Sequence, residues 1–209
     1  GRTATVQNWG QAAVIVGGWN VAIGVTLAVP VAAFAASVNQ EAEFDASRQV
    51  WVWTYDYDFV GRTYTAELTA GLVANGVDWK MYISQEDGFQ DYLWYTGQSD
   101  ISGNSGYWVL NRDPNNAVEF LRIDWEKEDD GIGMIKYTDI TEGPDSNGSY
   151  IEYGKNTDET FNTFYNLYSA KDDMAIMIEW NDTTGAGRIK VGDEDYKCWD
   201  EEFQDMSCN

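Results

Sequence analysis

The chain has 209 residues, with 13 Lys and Arg against 35 Asp and Glu, so its formal net charge is −22 at pH 7. A surface this negative repels phosphate backbones and anionic lipid headgroups, which argues against nucleic-acid binding. The sequence contains no His, which excludes Ser-His-Asp and Cys-His catalysis and every metal site with a His ligand.

The first predicted element is an apolar segment near the start of the chain. No charged side chain occurs from Thr3 to Gln40, and Ala12–Ala36 is about as long as a membrane-spanning helix. Pro30 predicts a kink or break, and therefore two shorter helices. The segment also contains a stripe of small residues, which would let a neighbouring helix approach closely. The stripe consists of Gly24, Ala28, Ala32 and Ala36.

Three interpretations of this segment are open. A transmembrane helix fits its length, but no cluster of Lys and Arg flanks it. The run AVPVAAFAAS is typical of the hydrophobic region of a signal peptide. We favour a helix packed against a β-sheet, because a helix that faces protein on every side can be apolar all round. Residues 1–48 are thus an apolar N-terminal helical segment and a linker.

From Gln49 onward the sequence predicts β-strands. Apolar and polar residues alternate, as in strands with one buried face, in WVWTYDYDF (51–59), VDWKMYIS (77–84), EFLRIDWEKE (119–128) and MAIMIEW (174–180). Turn dipeptides that suit tight hairpins separate strand-like runs; they are Asn75-Gly76, Asp87-Gly88 and Asp130-Gly131.

These patterns predict an all-β fold with an N-terminal helical segment. Residues 49–209 would form an antiparallel meander of about 10–12 strands, as a curved sheet, an open barrel or a closed barrel. The apolar N-terminal segment would pack against the concave face of the sheet. A β-sandwich is the alternative architecture.

The two cysteines, Cys198 and Cys208, lie close together near the end of the chain. Their spacing in an acidic segment predicts a local disulfide, which would close the β-domain at its C-terminal end. A disulfide in turn indicates an oxidising compartment outside the cytoplasm.

A row of aromatic residues is the candidate ligand-binding site. Alternation places its members on one strand face, where they could stack on a sugar or line a cavity for an apolar ligand. A place in the hydrophobic core is the alternative. The row consists of Trp51, Trp53, Tyr55, Tyr57 and Phe59.

Calcium is the only cofactor that the sequence suggests. Asp193 and Asp195 lie in one loop, and Asp200 follows beside the predicted disulfide, so carboxylate oxygens could bind Ca²⁺ there. The spacing does not match an EF-hand loop, and solvated turn residues are the alternative.

The segment RIDWE (122–126) resembles the acidic strand motif of retaining β-glucanases. Those enzymes need two carboxylates about 5–5.5 Å apart. Arg122 stands where the nucleophile would be, so we predict a charged strand face and no enzyme activity. A glycan-active enzyme would rest on Asp124 and Glu126 alone.

Several stretches resemble an uncharacterised family of outer-membrane envelope lipoproteins from Gram-negative, Bacteroidetes-type bacteria. They are GVTLAVPVAAF (24–34), WKMYIS (79–84), DYLWYTG (91–97), GSYIEYG (148–154), IEWNDTTGAGRIK (178–190) and KCWDEEFQDMSC (197–208). The resemblance implies a protein anchored at the outer membrane by a lipidated Cys ahead of a flexible linker, upstream of Gly1. It implies no activity.

The leading functional hypothesis is a non-enzymatic lipoprotein of the outer membrane or cell surface, with a binding or structural role. It would be an accessory subunit of an outer-membrane assembly, bound to an outer-membrane protein. Membrane association would come from the upstream anchor or from the N-terminal segment. A lipocalin-like carrier of an apolar ligand is one alternative. A pilin-like filament subunit is another, since such subunits combine an N-terminal apolar helix with a β-domain.

Overall fold

A computed structural model of the chain describes residues 5–26, 32–33, 36–37, 40–128, 133–143 and 146–208. Within these ranges it contains one long helix, α1 (Gln7–Thr26), followed by fourteen strands. The strands are β1 Glu43–Asp45, β2 Val50–Phe59, β3 Arg62–Val73, β4 Gly76–Gln85, β5 Tyr92–Ser99, β6 Ser105–Asp113, β7 Asn116–Lys127, β8 Gly133–Asp139, β9 Tyr150–Lys155, β10 Thr163–Ser169, β11 Met174–Trp180, β12 Gly187–Val191, β13 Lys197–Trp199 and β14 Asp205–Met206.

The strands follow one another in the sheet in the same order as in the chain. β1 and β14 are the two edges of the described sheet, so it is open. The predicted antiparallel meander behind an N-terminal helix is therefore confirmed. The described strands outnumber the predicted 10–12 because β1, β13 and β14 have only two or three residues each. A period-two pattern needs about four residues to be recognised.

The predicted hairpin turns explain how neighbouring strands meet. β3 and β4 are joined at Asn75-Gly76, as predicted, and a Cβ atom on Gly76 would lie 2.0 Å from the carbonyl oxygen of Ser99. Asp87-Gly88 forms the turn between β4 and β5, with Asp87 at a φ of 56°. The third predicted turn, Asp130-Gly131, and the predicted break at Pro30 lie outside the described residues.

The chain divides into two compact units. The first combines Gly1–Ile23 with Trp125–Asn209, and the second is Gly24–Asp124. The first unit contains most of α1 and the last strands of the meander. The second contains the long strands β2 to β6 and the aromatic row predicted from the sequence.

In the first unit, α1 packs against the sheet along one side. Ala12 is 4% exposed, and Ile15, Val16 and Ile23 are partly buried on the same side of the helix. The strand residues that form the cluster with Ala12 are Ile151, Tyr165, Leu167, Ile178, Ile189 and Trp199. Alternate residues of the strands supply this cluster, which confirms that the apolar N-terminal helix packs on the sheet.

The last hairpin fixes the beginning of α1. The predicted disulfide between Cys198 and Cys208 is present and links β13 to the residues just after β14. The side-chain amide of Asn8 donates a hydrogen bond to the carbonyl oxygen of Cys198 at 3.0 Å. Asp205 in β14 also binds the first turn of α1. The disulfide-bonded hairpin and the helix therefore form one local structure.

The core of the second unit is built from large residues facing small ones. Tyr55 in β2 pairs with Ala66 in β3, which pairs in turn with Ile83 in β4. Ala66 and Ile83 are completely buried. A methyl group on the middle strand leaves room for the Tyr55 ring beside it. This arrangement places the centre of the predicted aromatic row inside the core.

Candidate functional site

The surface of α1 that points away from the sheet is the main candidate site. Helical geometry, at 3.6 residues per turn, places seven residues opposite Ala12. We call them the outer face of α1; they are Gln7, Gly10, Val14, Gly17, Gly18, Val21 and Gly24. Val14 is 76% exposed and Val21 is 68% exposed, although both are apolar. The expectation that protein covers the helix on every side therefore holds only for its inner side.

Glycine is unusually frequent on this outer face. A Cβ atom built on Gly10, Gly17 or Gly24 would meet no atom of the described structure within 4 Å, and the same holds for Gly18. Each glycine in a helix interior destabilises the helix by about 1 kcal/mol relative to Ala. No packing contact within the described residues requires these glycines. Their effect is to leave the backbone of α1 accessible to a close neighbour.

The outer face is also the least charged part of an acidic protein. α1 contains no Asp, Glu, Lys or Arg along its 20 residues, while the whole chain has a net charge of −22. Exposed apolar surface without charge is typical of the centre of protein–protein interfaces. Within the described residues, no helix combines the length and hydropathy that are needed to span a bilayer.

The aromatic row predicted as a ligand site is divided between core and surface. Trp51 at one end is 47% exposed and lies against Phe44, with ring centroids 5.1 Å apart. Trp53 stacks on Trp79 at 6.1 Å. Tyr55 is buried, and its hydroxyl donates a hydrogen bond of 2.5 Å to the carbonyl oxygen of Ala33. Ligand binding by this row stays a prediction.

The other end of the row belongs to a group of tyrosines. Tyr57 is half-buried and stacks on Tyr64 at 5.3 Å, and Phe59 is likewise half-buried. The hydroxyls of Tyr57 and Tyr95 are buried and have no hydrogen-bond partner in the described part of the chain. Burial raises the pKa of Tyr55 to about 12, although a hydrogen bond with Ser37 opposes the rise. Burial also raises the pKa values of Tyr57 and Tyr95.

The three aspartates predicted as calcium ligands are spread over turns. Asp193 and Asp195 are exposed in the turn between β12 and β13. The carboxylate of Asp200 accepts hydrogen bonds from the backbone amides of Glu202 and Gln204, so it stabilises the following turn. Across the described ranges, no group of three or more acidic, Cys or His residues is arranged to hold a metal ion. Calcium binding stays an untested prediction.

The RIDWE segment forms part of β7. Arg122 and Asp124 lie on the same face and form a bidentate ion pair, with Nη2 and Oδ1 2.6 Å apart. The guanidinium of Arg122 also lies 3.9 Å from the centroid of the Tyr107 ring. The carboxylate of Asp124 is therefore held by Arg122, whereas Glu126 is exposed. The prediction that the protein is not an enzyme remains untested.

Comparison with known proteins adds no relatives. No family model matches this chain, and neither does any curated protein or solved structure.

Sequence reasoning did not recognise the outer face as a surface. It singled out Gly24 with three alanines at a spacing of four. The outer-face glycines Gly10, Gly17 and Gly24 instead recur every seven residues, which is about two helical turns. The seven-residue spacing of these glycines was the feature of the sequence that could have identified this face of the helix. Which side of α1 is covered could be known only from the packing of Ala12 on the sheet.

Proposed function

We propose that this protein is a non-enzymatic binding protein of the Gram-negative cell envelope. Through the outer face of α1 it docks against an apolar helix of a partner protein in an outer-membrane assembly. The observation that carries the proposal is the set of glycines on the outer face, which destabilise α1 and whose added Cβ atoms would meet nothing within 4 Å. A helix of a partner can approach such a surface until the two backbones are in contact.

The contacts of α1 support this role because they hold the helix before any partner binds. Its inner side is packed on the sheet around Ala12. Its first turn is bound to Asp205 of the last hairpin. A surface that is already ordered loses little conformational entropy on binding. The outer face therefore presents a rigid row of Gly and Val residues.

The charge of the chain restricts the partner further. An apolar helix would contact Val14 and Val21, while the surrounding acidic surface favours a partner with Lys and Arg beside that helix. The disulfide supports a location outside the cytoplasm. A lipid anchor at the outer membrane is part of the proposal and would place α1 near membrane partners. The pilin-like alternative stays an untested prediction.

Photocrosslinking in intact cells tests the proposal. A photoreactive amino acid at Val21 samples the outer face, and the same group at Ile101, which is 78% exposed in another part of the chain, is the control. We expect one heterologous protein to be crosslinked from Val21 and not from Ile101. Gly17→Leu, which fills the open strip, should abolish that crosslink while near-UV circular dichroism stays unchanged.

Other outcomes would overturn the proposal. A crosslink from Val21 to a second copy of the chain would replace the partner protein by self-association. A crosslink to lipid alone would indicate that α1 lies on the membrane. A crosslink that survives Gly17→Leu would show that the glycines are not part of the contact.

A further inference from the structure

The first unit contains a cavity of about 290 Å³ between α1 and the turns that follow β11 and β13. It lies beside the inner side of α1, where Ala12 and Ala13 form one wall, and so it is separate from the outer face. Four of the nine remaining lining residues are aromatic. They are Trp9, Trp180, Trp199 and Phe203.

Glycines at the start of β12 and in the turn before it allow two of these rings to lie where they do. A Cβ atom on Gly187 would lie 2.4 Å from the ring of Trp199, and one on Gly185 would lie 3.0 Å from the ring of Phe203. The indole N–H of Trp199 donates a hydrogen bond of 2.7 Å to the carbonyl oxygen of Gly185. The ring of Trp9 lies over Phe203, with centroids 4.9 Å apart. The ring of Trp199 is therefore held in place by the fold, and Trp9 and Phe203 pack on each other beside it.

The side chains of Asn181 and Asp182 on the lining are already bound to protein. Asn181 donates to the carbonyl oxygens of Glu159 and Thr160 and accepts from the amide of Thr183.

Asp182 is bound by Lys155 at 2.6 Å and by Asn162 at 2.7 Å. Since both polar side chains have partners, a ligand gains little by offering hydrogen bonds to them. An anion would also be repelled by a chain with a net charge of −22.

We propose that this cavity binds an uncharged aromatic compound of about two rings. A dry apolar cavity of roughly 150 Å³ takes one benzene molecule, and the cavity here has about twice that volume. Aromatic walls favour an aromatic ligand, because rings attract one another in offset and edge-to-face arrangements beyond the effect of buried area. The site does not depend on the proposed docking of α1.

Fluorescence titration with 1-naphthylamine, an uncharged two-ring compound at neutral pH, tests this proposal. We expect saturable binding of one molecule per chain, with quenching of tryptophan fluorescence. The anionic analogue 4-amino-1-naphthalenesulfonate and the alkyl compound decanol should each bind at least about tenfold more weakly, a difference of about 1.4 kcal/mol. Equal affinity for either compound would overturn the proposed ligand class.

Two matched Ala→Leu variants on α1 locate the site. Ala13→Leu fills the cavity and should weaken binding of the uncharged probe at least about tenfold. Ala22→Leu adds the same atoms to an exposed position away from the lining and should change the affinity less than about twofold. Similar effects of the two variants, or binding of several probe molecules per chain, would place the probe elsewhere and overturn the proposal.

Discussion

The carboxylate of Asp205 accepts a hydrogen bond of 2.9 Å from the backbone amide of Asn8, which lies 197 residues earlier in the chain. The same carboxylate binds the amide of Gln7 at 3.3 Å, and the amide of Asp205 donates to the carbonyl oxygen of Thr5 at 2.7 Å. The first turn of α1 has no acidic residue of its own. A residue from the last strand therefore caps the helix and complements its dipole.

Loss of this cap should destabilise the protein. We expect Asp205→Ala to lower the free energy of unfolding by about 1 kcal/mol, since two backbone amides of α1 lose their acceptor. Asp205→Asn should lower the free energy of unfolding less, because the side-chain oxygen of Asn can still accept one hydrogen bond. Urea unfolding followed by circular dichroism measures both. Asp195→Ala, in an exposed turn, is the control, and an equal effect of that variant would contradict the capping role.

Reduction of the disulfide should weaken the same end of α1. The two cysteines are 10 residues apart in sequence, and closing so short a loop stabilises a protein by about 3 kcal/mol. We expect the double variant Cys198→Ala, Cys208→Ala to lower the free energy of unfolding by roughly that amount.

The disulfide and the cap should also be coupled. Asp205→Ala should lower the free energy of unfolding less in the cysteine-free protein than in the disulfide-bonded protein. Without the disulfide, the hairpin that carries Asp205 is less ordered. Urea unfolding of the unaltered protein, the Asp205→Ala variant, the cysteine-free variant and their combination gives the double-mutant cycle that measures this coupling. Fully additive losses would show that the disulfide does not position Asp205.

Two Gly→Ala substitutions should change stability in opposite directions. Gly17→Ala adds a methyl group in open space on α1 and should raise the free energy of unfolding by up to about 1 kcal/mol. In Gly187→Ala the new Cβ atom would lie 2.4 Å from the Trp199 ring and 2.5 Å from the carbonyl oxygen of Glu179, so the protein should be destabilised. Thermal unfolding compares them. A destabilising Gly17→Ala would mean that the outer face is not open.

Stability should also decline at alkaline pH. The pKa of Tyr55 is about 12 in the folded protein, mainly because the side chain is buried, and it is near 10 when the chain is unfolded. The unfolded state therefore loses its proton first as the pH rises. The contribution of Tyr55 to the free energy of unfolding is complete below pH 10 and is lost as the pH approaches 12. The expected loss is roughly 3 kcal/mol.

Tyr55→Phe separates this effect from general alkaline damage. It should cost about 1 kcal/mol at neutral pH, through loss of the hydrogen bond to Ala33. It should also make the decline above pH 10 shallower. Tyr153→Phe, at a residue that is 40% exposed, is the control. Urea unfolding from pH 8 to pH 12 gives both results, and parallel declines in the two variants would refute the assignment to Tyr55.

The meander and the disulfide could be predicted because each depends on local pattern. Alternation identified which residues of β11 share a face, and Ile178 indeed packs in the core. Alternation does not show how far along a strand that face is covered. For this reason Trp51 is exposed while Tyr55, four residues later, is buried.

The candidate site depended on contacts between distant parts of the chain. The absence of charge in α1 predicted burial, but it could not show that only the side around Ala12 is covered. The cap from Asp205 was equally hidden, because no pattern near Gln7 indicates an acceptor in the last strand. The cavity was hidden as well, because it forms only where the turns that follow β11 and β13 meet α1.

The lengths of the edge strands have a consequence for assembly. A long unpaired edge would offer its backbone amides and carbonyls to a neighbouring molecule and invite growth of a continuous intermolecular sheet. β1 has three residues and β14 has two, and the disulfide ends immediately beyond β14 at Cys208. So few backbone groups cannot template another strand. The β14 side of the sheet therefore offers too short an edge to recruit further copies. On the other side β1 pairs only with residues 50–52 of β2 and leaves residues 53–59 without a strand partner on that side within the described sheet, so strand addition by another copy would begin at β2.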